Sequence, residues 1–181
     1  MTAFKREELL EAASRVIALK GLDKLTLDAV AAEAGVSKGG LMYHFPNKQA
    51  LITAMNHQVI TRFQQEIERE QDKAPAGRGA FIRAYASATL TDLSDCNYLD
   101  TNTGILAAMA TNHELLSAWR DVYEEWGRAL RQEDVKPELA LIVRLVCDGL
   151  WFSKMFALDP LTPEEQQSVM QYLFEKIEKG E

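Results

Sequence analysis

Thr26-Leu-Asp-Ala-Val-Ala-Ala-Glu-Ala-Gly-Val-Ser-Lys-Gly-Gly-Leu-Met-Tyr-His-Phe-Pro-Asn-Lys48 reads as two short helices hinged on a tight turn. Thr26 is a natural N-cap, and Leu27, Val30, Ala31 and Ala34 recur at the spacing of an inward helical face. Gly35-Val36 supplies the turn. Ser37 caps a second helix that Leu41 and Phe45 anchor, and Pro46-Asn47 ends it. A helix-turn-helix over about 26–45 has the size to lay its second helix in the major groove of DNA.

With Leu41 and Phe45 inward, Lys38, Gly39, Met42 and Tyr43 face largely outward, with Gly40 and His44 near the edges. Two adjacent glycines in a short helix cost about 1 kcal/mol each relative to alanine. Close approach of the helix backbone to DNA compensates for that cost; relief of a cramped turn is the competing reading. Lys38 has the reach for guanine or phosphate, and Met42 offers an apolar contact such as a thymine methyl wants. Tyr43 and His44 suit phosphate oxygens, which fix register without reading sequence. Lys48 and Thr26, each at a helix N-terminus, suit one phosphate apiece. His44, His57 and His113 lack ligand-like spacing, so neither a metal nor another cofactor is expected.

The run Lys5-Arg6-Glu-Glu-Leu-Leu-Glu-Ala-Ala, then Gly21, Thr26, Val30-Ala31, Ala34-Gly35-Val36-Ser37, Gly39, Leu41, Phe45, Lys48 and Leu51, resembles the N-terminal domain of TetR-family transcriptional regulators. The resemblance implies a homodimeric repressor of double-stranded DNA whose C-terminal domain binds a small effector. By position, base reading falls on Lys38, Gly39, Gly40 and Met42, and backbone contact on Thr26, Ser37, Tyr43, His44 and Lys48. Family members often carry an aromatic directly after the leucine of the third helix. This chain has Met42 there, with the aromatic displaced to Tyr43.

Outward from this motif, strand signals are nearly absent, and the chain is expected to be all-α with about nine helices. The first helix is expected over about Lys5–Lys20, stopped by Gly21. A long helix follows from Lys48 to Glu70, then a loop Asp72-Lys-Ala-Pro-Ala-Gly-Arg-Gly79. Further helices are expected at Ala80–Ser94, Thr103–Thr111, Glu114–Gln132, Pro137–Leu158 and, after the Asp159–Pro163 turn, a last one ending near Lys179. Two domains are expected: residues 1–63 for DNA binding and residues 64–181 as a helical effector-binding and dimerisation body.

The net charge of −7 argues against nucleic acid until it is divided along the chain. Residues 1–63 carry +2 and residues 64–181 carry −9, and phosphate contacts need positive charge only locally. Cys96 and Cys147 lack a CxxC spacing and read as buried free thiols of a reducing compartment. The sequence shows no secretory signal and no apolar run long enough to span a membrane, so a cytoplasmic protein is expected. No nucleophile elbow, HExxH, Walker or dinucleotide motif appears, which argues against an enzyme.

In the body, Phe81, Tyr85, Thr89, Met109, Trp119, Tyr123, Trp126, Trp151, Phe152 and Met155 concentrate large side chains in a few helices. They read as an ordinary core or as the wall of a pocket for a largely apolar effector. The helix from Pro137 is apolar nearly all round and must be buried on most sides. Arg144, Asp148 and Gly149, with Val169, Tyr172 and Leu173 on the last helix, are the candidates for a face that pairs with its copy. Two copies spaced by a DNA turn read a palindromic operator. The alternatives are an activator, and a family-like co-regulator that binds protein without DNA.

Overall fold

The computed structural model describes residues 6–73, 77–109 and 112–180, excluding the side chains of residues 96–100 and 107. Lys5, Thr111, Ala74–Ala76 of the expected loop and the Cys96 side chain lie outside the described residues. Among the described residues all regular structure is helical. The helices are α1 (Arg6–Lys20), α2 (Leu27–Ala34), α3 (Lys38–His44), α4 (Lys48–Lys73), α5 (Ala80–Ser94), α6 (Cys96–Met109), α7 (His113–Arg131), α8 (Pro137–Met155) and α9 (Pro163–Lys179), with a 3-10 turn at Leu22–Lys24.

The chain divides into two compact units. Met1–Ile60 and Cys96–Ala118 form one; Thr61–Asp95 and Trp119–Glu181 form the other. The first unit thus takes in α6 and the start of α7, a segment beyond the residue 63 boundary read from sequence.

In the first unit α1 packs on α2 and on α6, and α2 on α3. Leu9, Leu10, Ala13, Val16 and Ile17 form the buried stripe of α1, and Leu25, Val30, Leu41, Phe45, Leu51 and Ile105 are buried in the same unit. Gly104 lets α6 approach, because a Cβ there would stand 2.7 Å from the Cγ2 of Ile17. In the second unit α8 packs on α5 and α9, and α5 on α9. Ile82, Tyr85, Leu139, Val143, Leu150, Met170, Leu173 and Ile177 are buried there.

Three helix boundaries differ from the sequence reading by three residues or more. α6 starts at Cys96, with the single residue Asp95 between it and the end of α5. The break is made by Asp95 in an extended conformation, φ −97° and ψ 95°, without the glycine or proline that would mark it. α4 runs on to Lys73, where Lys73 bonds Glu70 at 2.6 Å, and Arg69 pairs with Glu66 one turn earlier. α8 ends at Met155, because Ala157 (φ 51°) and Asp159 (φ 46°) turn the chain into left-handed conformations.

Candidate nucleic-acid interface and cavity

Short-range chemistry builds the turn between α2 and α3. The Thr26 hydroxyl accepts the Ala29 N–H at 3.1 Å and the Ser37 hydroxyl accepts the Gly40 N–H at 3.1 Å. Each hydroxyl keeps its own proton to donate. Gly35 closes α2 in the left-handed conformation, φ 67° and ψ 30°. Its N–H and that of Val36 bond the Ala32 and Ala31 carbonyls at 3.2 and 2.9 Å. Glycine is the residue that takes this conformation without steric cost.

α3 is held from beneath. Leu41 and Phe45 are 0% and 1% exposed, and the Arg6 guanidinium lies 5.1 Å from the Phe45 ring centroid. Burying the two side chains contributes about 1.5–3 kcal/mol each, more than the roughly 1 kcal/mol that each of Gly39 and Gly40 costs. A helix this short and glycine-rich therefore persists because of its packing.

The opposite face of α3 is bare. Met42 is 42% and Tyr43 87% exposed, while Lys38, Gly39 and Gly40 are exposed and His44 is half-buried. A Cβ on Gly39 would meet nothing within 4 Å, and one on Gly40 would meet only the Ser37 hydroxyl, 3.3 Å away. The cramped-turn explanation therefore has no support at Gly39. Lys38 bonds Asp28 at 2.9 Å across α2 and α3, so any anion that binds this ammonium competes with a carboxylate. Lys48 is exposed on the first turn of α4, where Asn47 accepts the Ala50 N–H at 2.8 Å as cap. Thr26, Ser37 and Lys48 are likewise exposed, so the exposed sites share one short stretch of chain.

The second unit holds a small cavity, about 280 Å³ with its opening to solvent included, lined by Phe63, Tyr85, Thr89, Trp119, Tyr123, Trp126, Cys147, Asp148 and Trp151. Six side chains singled out from sequence meet there: Tyr85, Thr89, Trp119, Tyr123, Trp126 and Trp151. Phe81 lies behind Tyr85, ring centroids 6.4 Å apart. Met109 is buried in the first unit. Phe152 is 55% exposed, and Met155 is half-buried away from the wall. Phe63, Cys147 and Asp148 complete the wall without having been read as part of it.

Edge-to-face ring contacts fix the wall, with centroids 5.2 Å apart for Phe63–Trp126 and 5.4 Å for Phe63–Tyr85. The Trp126 indole N–H donates to Gln64 at 2.7 Å, and the Tyr123 hydroxyl to Asp148 Oδ1 at 3.0 Å. Burial pushes the Cys147 thiol up to about 12, against a smaller opposing effect of its bond with Thr89. It is therefore a neutral, unreactive wall atom at physiological pH.

Of the residues read as a pairing face, Asp148 faces the cavity and Leu173 is buried in its own unit. Arg144 and Val169 are half-buried, and Gly149 and Tyr172 are exposed. Around Gly149, Leu141, Ile142, Leu145, Phe152 and Phe156 are each 42–63% exposed. They recur at helical spacing as an outer stripe of α8 that ends on its C-cap, Phe156.

An exposed glycine-bearing helix on a buried anchor, capped and turned in this way, defines a helix-turn-helix DNA-binding protein. Residues 9–55 match the bacterial regulatory proteins of the tetR family, and residues 79–178 match the tetracyclin repressor-like C-terminal domain. The chain belongs to the TetR family, and it is a DNA-binding transcriptional regulator rather than an enzyme. It is 30% identical over 162 residues to the transcriptional regulator LmrA of Bacillus subtilis, covering 80% of this chain and 82% of the relative. It is 23% identical over 172 residues to the transcriptional repressor KstR2 of Mycolicibacterium smegmatis, covering 83% and 78%. Two further regulators, 36% and 31% identical, match over 67 residues only, 34% and 36% of their own length. The fold is that of a transcriptional regulator structure from Pseudomonas aeruginosa PAO1, with a TM-score of 0.75, 23% identity, and 96% and 90% of the two chains covered. Among the described residues no helix is long and apolar enough to cross a membrane.

Proposed function

We propose that the protein is a cytoplasmic homodimeric repressor. It holds a palindromic operator through α3 of each copy and releases it when a small, largely apolar effector enters the second unit's cavity. The observation that carries the DNA-reading half is Gly39, whose side-chain position is open space within its own chain. Gly39, Gly40 and Met42 let the helix backbone approach base edges, with Lys38 as the one long donor. Thr26, Ser37, Tyr43, His44 and Lys48 hold phosphates and set register. Pairing through the outer stripe of α8 and Tyr172 of α9 covers apolar surface that a monomer leaves in water. Release follows if the effector binds more tightly to the form that cannot seat both α3 helices, and operator affinity falls by that difference in affinity.

Footprinting on the DNA upstream of the protein's own gene tests the reading. Wild type is expected to protect two half-sites about one turn or a multiple apart. Lys38→Ala with Lys48→Ala is expected to weaken binding at low salt by about 1.5–3 kcal/mol per lost charged contact. Undiminished binding by the double variant overturns the assignment.

A further inference from the structure

We infer that the cavity selects a small organic cation with an apolar body, a quaternary or protonated amine, with Asp148 as its counter-charge and the surrounding rings as its cage. This rests on the reading of the cavity as the effector site. Among the described residues Asp148 is the one charged side chain in the wall. Its side chain is 33% exposed, and its Oδ1 takes a single hydrogen bond, from Tyr123. Burial raises its carboxyl above the ordinary range, the mark of a charge that lacks compensation.

Arg144 does not supply that compensation in full. Its Nε stands 4.0 Å from Asp148 Oδ2 and bonds no acceptor. Its Nη1 lies 3.4 Å from the place of a Cβ on Gly127 of α7, and Arg144 does not line the cavity. A neutral guest would leave the carboxylate as it is, and an anion would meet a carboxylate and the negative faces of the rings. A cation gains from both, since ring faces attract cations, tryptophan most strongly. The space between the walls, about 280 Å³ with its opening to solvent included, is smaller than the sites that hold drug-sized ligands, so a guest of one ring and a small head is seated with movement of the wall side chains.

The chain has three tryptophans, and Trp119, Trp126 and Trp151 all stand in this wall. Intrinsic fluorescence therefore reports on the cavity without a label. Titrating the full-length protein with phenyltrimethylammonium and with its neutral isostere tert-butylbenzene isolates the charge, because the two guests share one shape. The cation is expected to quench at a concentration at least about tenfold lower. Asp148→Asn is expected to bring the two guests to within about threefold while tert-butylbenzene binding is retained. Tyr123→Phe, which keeps the ring, is expected to preserve the preference for the cation. Equal or tighter binding of tert-butylbenzene to wild type overturns the selection of charge and leaves the cavity standing as an effector site. Quenching by neither guest overturns both, while the operator footprint still tests the DNA-reading half.

Discussion

Gly39 costs helix stability and touches nothing within its own chain, so its two roles separate experimentally. Gly39→Ala is expected to stabilise the fold by up to about 1 kcal/mol in urea denaturation while weakening operator binding about tenfold or more in gel-shift titration. Unchanged binding would mean that α3 does not approach DNA backbone first. Asp92 offers a test of the second unit. It is 2% exposed, its Oδ2 has no hydrogen-bond partner, and burial, opposed by Arg62, lifts its carboxyl to about 7. Between its ordinary 3.8 and that value the folded chain binds more protons than the unfolded one. This group's contribution to stability is therefore full below about pH 4 and lost as pH rises through about 7. Asp92→Asn is expected to be more stable than wild type at about pH 8 by a few kcal/mol, with the gain shrinking towards about pH 5. Thermal unfolding across pH measures it, and a constant difference would contradict the assignment. Residue signals of short range were legible in the sequence. Thr26, Gly35 and Ser37 announce themselves because caps and left-handed turns are set by neighbours three or four positions away. Asp148 is different in kind. Its place in the cavity depends on Tyr123, 25 positions away, and no local pattern distinguishes it from a surface carboxylate.

Helix positions follow the apolar period closely, and boundaries fail where a break lacks its usual residue. α9 shows a boundary with every signal present. Thr162 accepts the Glu165 N–H at 3.2 Å while Glu165 accepts the Thr162 N–H at 2.8 Å, and Pro163 takes the first helical position. Thr162→Ala is expected to cost about 1 kcal/mol in urea denaturation; no loss would show that packing alone holds this end. The start of α6 shows the reverse, since Asp95-Cys-Asn-Tyr-Leu-Asp-Thr-Asn102 is rich in residues that favour caps and turns. Tertiary contact with α1, admitted by Gly104, outweighs that local preference. The same limit applies to α8. Its apolar circumference hid that Cys147 and Leu150 point inward while Leu145 and Phe152 point out.

At the scale of the whole molecule the outer stripe of α8 is the feature that one copy leaves unsatisfied. Leu145 is 63% exposed, so Leu145→Glu leaves the core of its own chain intact. It is expected to yield a helical monomer by circular dichroism and sedimentation velocity, with operator affinity reduced about tenfold or more as the two half-sites are no longer read together. A dimer that survives this change pairs elsewhere. The vacancy above Gly39 reaches further than any single assay. Because every residue but proline suits a helix at least as well as glycine does, and a side chain there meets nothing of its own chain, drift at that position passes unfiltered by chaperones and proteases. If α3 reads DNA as proposed, promoters alone police it. A lineage of such regulators is thus able to acquire new targets at this site without first accumulating reserves of stability.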